Sequence, residues 1–405
     1  MKRIIFVDDD INVGQAMKRM LRPMRREWDM TFCTSGEEAL QIMADTEPFD
    51  IIISDMHMPS MHGADLLARV QEKYPQTIRF ALSGSPGAES MIKTASIVHQ
   101  FLLKPCEPHH LLGLITRAFS LREQLNDRRL QDVLLDLGGV PSIPSLYQAI
   151  IQEMQSPDCS VKKIADLIEQ DVGMTTKVLQ IVNSASFGLA QRVTNVLQAT
   201  TLLGLENIRN LVLMAEVFRP ADEDSLPKNF NIEALMHHSL KVASFAKKIA
   251  QCQVPDDKHM SEDAFTSGLL HDIGQIILAT KKTEKFGEAL SIAQKERRPL
   301  IEVEKDLFGA THAEIGGFLL ELWGLPDPIV ESITFHTYPS SCPEQSFSSL
   351  TAVHVANYFC EDSEDEENYE ANRIDTDHLD ILELTDQMES WYDACHNDDE
   401  LERYR

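Results

Sequence analysis

The sequence predicts an α/β domain on a five-stranded, doubly wound parallel sheet, followed by an all-α helical bundle. Three observations carry this reading. Five short apolar runs alternate with helix-like stretches over the first 105 residues, which implies a buried parallel sheet. The runs end at or next to residues able to do chemistry: Asp8 and Asp9, Asp55, Ser83 and Lys104. Beyond Pro141 and Pro144, almost everything up to residue 360 has helical rather than strand patterning.

The strands read as RIIFVD (Arg3 to Asp8), MTFC (Met30 to Cys33), DIIISD (Asp50 to Asp55), IRFALS (Ile78 to Ser83) and QFLLK (Gln100 to Lys104). Between the second and third, Ser35 stands three residues ahead of Glu38, with Ala39, Leu40 and Met43 on one face. That is the pattern of a capped amphipathic helix. In open sheets of this kind ligands bind outside the carboxyl ends of the strands, so the five chemical residues converge on one cleft. Three carboxylates gathered there repel one another unless a cation holds them, and an oxygen-only ligand set suits Mg²⁺. Lys104 adds a fixed positive charge and Ser83 a hydroxyl. A carboxylate can attack phosphorus while Mg²⁺ and a lysine neutralise the phosphoryl oxygens, which makes Asp55 the candidate nucleophile.

The motifs VDDD (Val7 to Asp10), SDMHMPSMHG (Ser54 to Gly63), LSG (Leu82 to Gly84) and KP (Lys104 to Pro105) together resemble the response-regulator receiver family over residues 1–122. The resemblance implies a flavodoxin-like fold with Asp55 as phosphoacceptor. It also implies Mg²⁺ held by Asp8, Asp9, Asp55 and the backbone carbonyl of His57, and a phosphoryl group bound by Ser83 and Lys104. Phe101 matches the family's switch aromatic, and the Lys104–Pro105 bond is expected to be cis. The donor would be a histidine kinase or a phosphotransfer protein.

Composition narrows the remaining choices. No segment approaches the roughly 18 apolar residues of a membrane span, and the apolar start of the chain stops at Asp8, so a cytoplasmic protein is expected. Seven scattered cysteines without a CxxC pair suggest neither a disulfide framework nor a thiolate zinc site. A formal charge of −27 argues against a nucleic-acid or anionic-membrane binder. Much of it is local: residues 361–405 carry 18 acidic side chains against Arg373, Arg403 and Arg405. The stretch beginning Glu361-Asp-Ser-Glu-Asp-Glu-Glu reads as a solvated acidic loop. Beyond it, Leu379, Leu382, Met388 and Trp391 offer a packed C-terminal helix within 359–405.

Residues 123–138 read as a charged helical connector. It suits a rigid spacer or a homodimer contact, but its apolar spacing is too short-lived to sustain a coiled coil. From 139 to 358 the sequence Val140-Pro-Ser-Ile-Pro, Ile164 to Asp171, Lys177 to Gly188 and Leu202-Leu-Gly-Leu205 resembles the HDOD family, a divergent branch of the HD phosphohydrolases. The resemblance implies a helical output module that works by protein–protein contact without catalysis.

This second region carries His238, His271-Asp272, His312 and His336. His238 shares its helix face with Leu235, Val242, Phe245 and Ile249, whereas His237 falls on the Lys241, Ser244, Lys248 face, so only His238 points inward. Asp272 interrupts an apolar helical run, and a buried carboxylate needs a partner or a metal. Imidazoles with a carboxylate suit a transition metal such as Zn, Mn or Fe. Against metal chemistry, the HD pattern normally ends in Asp, and Asn357 stands at that place. His336-Thr-Tyr-Pro339 is the only trace of the GYP segment that marks cyclic-di-GMP-cleaving relatives. Three readings stay open: a hydrogen-bonded structural network, a metal site without turnover, and metal-dependent hydrolysis.

The expected function is therefore a two-component response regulator, phosphorylated on Asp55 and switching a non-catalytic HDOD module that binds an unidentified protein. The alternative is a phosphorylation-gated, metal-dependent phosphohydrolase of nucleotides or cyclic dinucleotides.

Overall fold

A computed structural model of the chain describes residues 2–83, 97–104, 106, 111–116, 119, 143–156, 158–183, 192–218, 226–361 and 374–396. The connector, Pro105 and the acidic residues after Glu361 lie outside the described residues, as do the side chains of Ser83 and Phe101. The chain divides into two compact units, Met1–Ala149 with Glu321–Gly324 and Ile150–Leu320 with Leu325–Arg405.

The first unit is a parallel sheet of β1 (Lys2–Val7), β2 (Trp28–Cys33), β3 (Ile51–Asp55), β4 (Ile78–Ser83) and β5 (Gln100–Leu103), in the order β2-β1-β3-β4-β5. Helices α1 (Ile11–Met20), α2 (Gly36–Asp45) and α3 (Gly63–Lys73) connect the early strands. Each expected strand forms within a residue or two of its expected bounds. The β3 residues are all buried, as a central parallel strand covered on both faces requires. At the start of α2 the Ser35 hydroxyl accepts from the Glu38 amide at 3.2 Å, while the Glu38 carboxylate reaches back to the Thr34 amide at 2.8 Å. The strand order reverses direction at β1 and β3, and that crevice is where a doubly wound sheet places its ligand.

The second unit is helical. After α4 (Ser145–Gln155) come α5 (Val161–Glu169), α6 (Val172–Val182), α7 (Val196–Leu203) and α8 (Leu205–Val217). Then follow α9 (Ile232–Gln253), α10 (Lys258–Leu270), α11 (Ile273–Lys281), α12 (Thr283–Glu296), α13 (Leu300–Phe308), α14 (His312–Leu322), α15 (Asp327–Phe335) and α16 (Ser349–Glu361). The chain ends in α17 (Thr376–Ile381) and α18 (Met388–His396).

Two features differ from the sequence reading. His271 and Asp272 do not interrupt a continuous helix: they form the junction of α10 and α11, with Asp272 at φ −100°, ψ 13°. The break turns the Asp272 carboxylate toward the core instead of leaving it on a helix surface. Residue 358 lies inside α16, which continues to Glu361, and the C-terminal segment packs on the same core. Leu379, Leu384, Trp391 and Cys395 are buried together with Val242, Ile249, Ala264, Val353 and Phe359.

Candidate functional site

In the sheet unit, β1 and β3 are paired neighbours, so Asp8 and Asp55 lie side by side at their carboxyl ends. Both are buried, whereas Asp9 is exposed. Lys104, just past β5, reaches across to both: its Nζ is 2.6 Å from Asp8 Oδ2 and 2.9 Å from Asp55 Oδ2. Burial pushes the Asp8 carboxyl above its ordinary range, and Lys104 and the Asp10 amide offset this only in part. For Lys104, burial favours the neutral amine, but hydrogen bonds and charges from Asp8 and Asp55 outweigh it and raise the ammonium.

The backbone around Asp55 is held tightly. The His57 amide donates to Asp55 Oδ1 at 3.3 Å, and the Gly63 amide to the Met56 carbonyl at 3.1 Å. A Cβ at Gly63 would overlap the Asp55 carbonyl oxygen, so only glycine lets α3 begin this close to Asp55. Carboxylate oxygens of Asp8, Asp9 and Asp55 lie within 4.8 Å of one another, a spacing and donor chemistry that fit Mg²⁺. Ser83 ends β4 opposite Leu103, and Phe101 lies within β5 opposite Ala81, which places both backbones at this end of the sheet region.

In the helical unit, four imidazoles surround one carboxylate. Asp272 Oδ2 is 3.0 Å from His271 Nε2 and 3.9 Å from His238 Nε2; Oδ1 is 3.2 Å from His312 Nε2 and 3.8 Å from His336 Nε2. Gly274 makes this possible, because a Cβ there would overlap the His312 backbone carbonyl. His271, Asp272, His312 and His336 are buried, and the His238 side chain, at 18% exposure, is the one closest to solvent. Asn357 is buried beside His238.

The outer nitrogens fix the direction of the rings. His271 Nδ1 donates to the Gly268 carbonyl and His336 Nδ1 to the Ile333 carbonyl, each at 2.8 Å. His312 Nδ1 pairs with Glu304 Oε2 at 2.8 Å, and the same oxygen accepts the His312 amide. The Nε2 atoms of these three rings are thereby aimed at Asp272, the arrangement in which outer hydrogen-bond acceptors orient metal-ligating histidines. Burial would raise the Asp272 carboxyl, yet the charges of His271 and His312 hold it well below its ordinary value. Burial also opposes charge on those two imidazoles, but Asp272 raises His271, and Glu304 with Asp272 raises His312 well above normal. Burial and repulsion from His271 push His238 down to about 4 and His336 down to about 3.

The residues fit a cation site. His238 Nε2, His271 Nε2, Asp272 Oδ2 and Asn357 Oδ1 are buried and meet no well-aligned hydrogen-bond partner, although His271 Nε2 and Asp272 Oδ2 stand close together. Two triads, His238–His271–Asp272 and Asp272–His312–His336, each keep their ligand atoms within 4.8 Å of one another. The two oxygens of Asp272 serve one triad each, and nitrogen donors with a carboxylate suit a first-row transition metal.

Glu304 was not foreseen. Its signal lies in α13, where Leu300, Val303, Glu304 and Phe308 form the buried face, and a glutamate on that face requires a partner. His354 and His378, also buried, were missed as well.

Comparison with known proteins assigns both units. Residues 4–116 match the response regulator receiver domain and residues 140–339 match the HDOD domain. The chain joins a receiver domain to an HDOD domain. An uncharacterized protein of Treponema pallidum is 27% identical over 224 residues, 55% of this chain and 42% of that protein. The hydrogenase transcriptional regulatory protein HoxA of Cupriavidus necator is 28% identical over 155 residues, 38% of this chain and 30% of that protein. The chain thus spans less than half the length of these curated relatives. A solved Shewanella amazonensis structure named "Putative phosphohydrolase" shares the fold at TM-score 0.50 and 20% identity, covering 65% of this chain and 92% of that one. Among the described residues, no helix is long and apolar enough to cross a membrane.

Proposed function

We propose that this chain is a phosphorylation-switched regulator in which Asp55 of the receiver domain accepts a phosphoryl group from a histidine kinase or phosphotransfer protein. Asp8, Asp9, Asp55 and the His57 carbonyl would hold Mg²⁺, which would supply charge neutralisation for the transfer. The observation that carries the proposal is the bridge from Lys104 to both Asp8 and Asp55 at the strand ends. A phosphoryl group on Asp55 takes Lys104 Nζ as its counter-charge, and Ser83 and Phe101 then report the new state. The output is contact between the HDOD domain and a protein target. Incubation with acetyl phosphate and Mg²⁺ should add one phosphoryl group, read by intact mass. Asp55→Asn should remain unmodified, and a mutant that labels like the parent would refute the assignment.

The convergence of four Nε2 atoms on Asp272 supports a second element, a transition-metal site in the HDOD domain. Such a metal would supply Lewis acidity; His238, His271 and Asp272, or Asp272, His312 and His336, would hold it. Asn357, a neutral amide in place of a carboxylate, and the burial of the cluster favour a structural or sensory metal over hydrolysis. Elemental analysis of protein purified without a metal-binding tag tests occupancy, and a screen of nucleotides and cyclic dinucleotides with the loaded protein tests turnover.

A further inference from the structure

The segment His336 to Pro339, which the sequence singled out, closes the matched HDOD residues and lies under the C-terminal segment that follows them. His354 of α16 is buried between them. Its Nδ1 donates to the His336 carbonyl at 2.7 Å, and its Nε2 accepts the Asp375 amide at 2.8 Å. The Asp375 carboxylate accepts the Ser340 amide at 2.9 Å and caps α17 through the His378 amide at 3.2 Å. A parallel bridge runs from His378 Nδ1 to Gln345 Oε1 at 3.0 Å, and from Gln345 Nε2 to the Cys342 carbonyl at 2.6 Å.

We infer that His354 and Asp375 are positioning residues through which the C-terminal segment clamps His336 into the metal cluster. The inference rests on the metal reading above. His336 sits at the carboxyl end of α15, where the helix no longer constrains the chain that follows. The clamp replaces that constraint from both sides: His354 fixes its carbonyl, and Asp375 and Gln345 fix the turn after Pro339. The clamp is itself anchored, because Leu379 and Trp391 are buried against α9, the helix that carries His238. The Asp375 carboxyl, penalised by burial but held below its ordinary range by the Ser340 and His378 amides, stays charged for this contact. Ligand geometry set by outer-shell hydrogen bonds typically changes metal affinity by about 10–100-fold when those bonds are removed.

The test is a Co²⁺ titration of the full chain, followed by its visible ligand-field bands. His354→Phe keeps the ring volume but removes both hydrogen bonds, and should weaken Co²⁺ binding by about 10–100-fold and shift the bands. His354→Asn returns an N–H donor near the position of Nδ1 and should restore most of the affinity. If His354→Phe does not fold, Asp375→Ala carries the same test from the outer side. Wild-type affinity and spectrum in both His354→Phe and Asp375→Ala, or an asparagine variant no better than phenylalanine, would overturn the clamp. A wild-type chain that takes up no Co²⁺ refutes the metal reading instead. The clamp is then judged alone by long-range ¹⁵N–¹H spectra of the imidazoles, where an unmoved His336 signal in His354→Phe overturns it.

Discussion

Asp272→Asn keeps the shape of the side chain and removes the charge at the centre of the HDOD cluster. His271 and His312 lie 3.0 and 3.2 Å from that carboxylate, and all three groups are buried. Breaking a buried charge pair by removing one partner costs about 3–5 kcal/mol. Here the imidazoles can release protons and become neutral instead of remaining as unpaired cations, so the loss should fall near the lower end, about 3 kcal/mol. For a domain of this size that lowers the unfolding midpoint by roughly 6–12 °C. A metal that binds only the folded form adds about 2.7 kcal/mol at one hundred times its dissociation constant, and the variant should lose most of that gain. The assay is thermal unfolding with chelator and with added Mn²⁺ or Co²⁺, alongside elemental analysis. A variant that melts with the wild type in chelator and gains the same stabilisation from metal would refute both the charge argument and the site.

In the receiver domain, Lys104→Ala leaves Asp8 and Asp55 without their shared cation. Mg²⁺ should then stabilise the variant more than the wild type in thermal melts, and equal Mg²⁺ shifts would contradict the bridge. Gly63→Ala drives a methyl group into the Asp55 carbonyl, so it should lower both stability and the rate of acetyl-phosphate labelling; unchanged labelling would show that the α3 start does not position Asp55. Burial holds the His378 imidazole below its ordinary value. The stability it contributes is complete above the unfolded-state value near 6.5 and is lost as pH falls toward the depressed folded-state value. His378→Gln should therefore flatten the decline in unfolding midpoint between neutral and mildly acid pH, and a decline as steep as the wild type's would contradict this.

The receiver half was largely legible because its logic is local. Each strand is an apolar run, each chemical residue ends a strand or stands within two residues of its end, and the parallel crossover rule brings those ends together. Even the Ser35–Glu38 cap forms as written, with the return bond shifted by one residue to Thr34. The HDOD half was legible only in part. The helix face of His238 follows from periodicity, but the break at Asp272 does not, because the apolar run passes through it without a proline or a cap. Glu304 and His312 are eight residues apart, and no local spacing rule pairs the middle of one helix with the start of the next.

The sequence alone determined the order of the two domains, the set of carboxylates and the lysine at the strand ends, and the inventory of histidines, since each follows from short-range pattern or a contiguous motif. Only the tertiary structure decided that four imidazoles share one carboxylate, that Glu304 pairs with one of them, and that the segment after the acidic stretch returns to bond His354. Those contacts join residues as far apart in sequence as Asp272 and His336, and they depend on which helix faces meet when the core closes. Periodicity tells a residue which way to face within its own helix; the packing of the other helices supplies what it meets there.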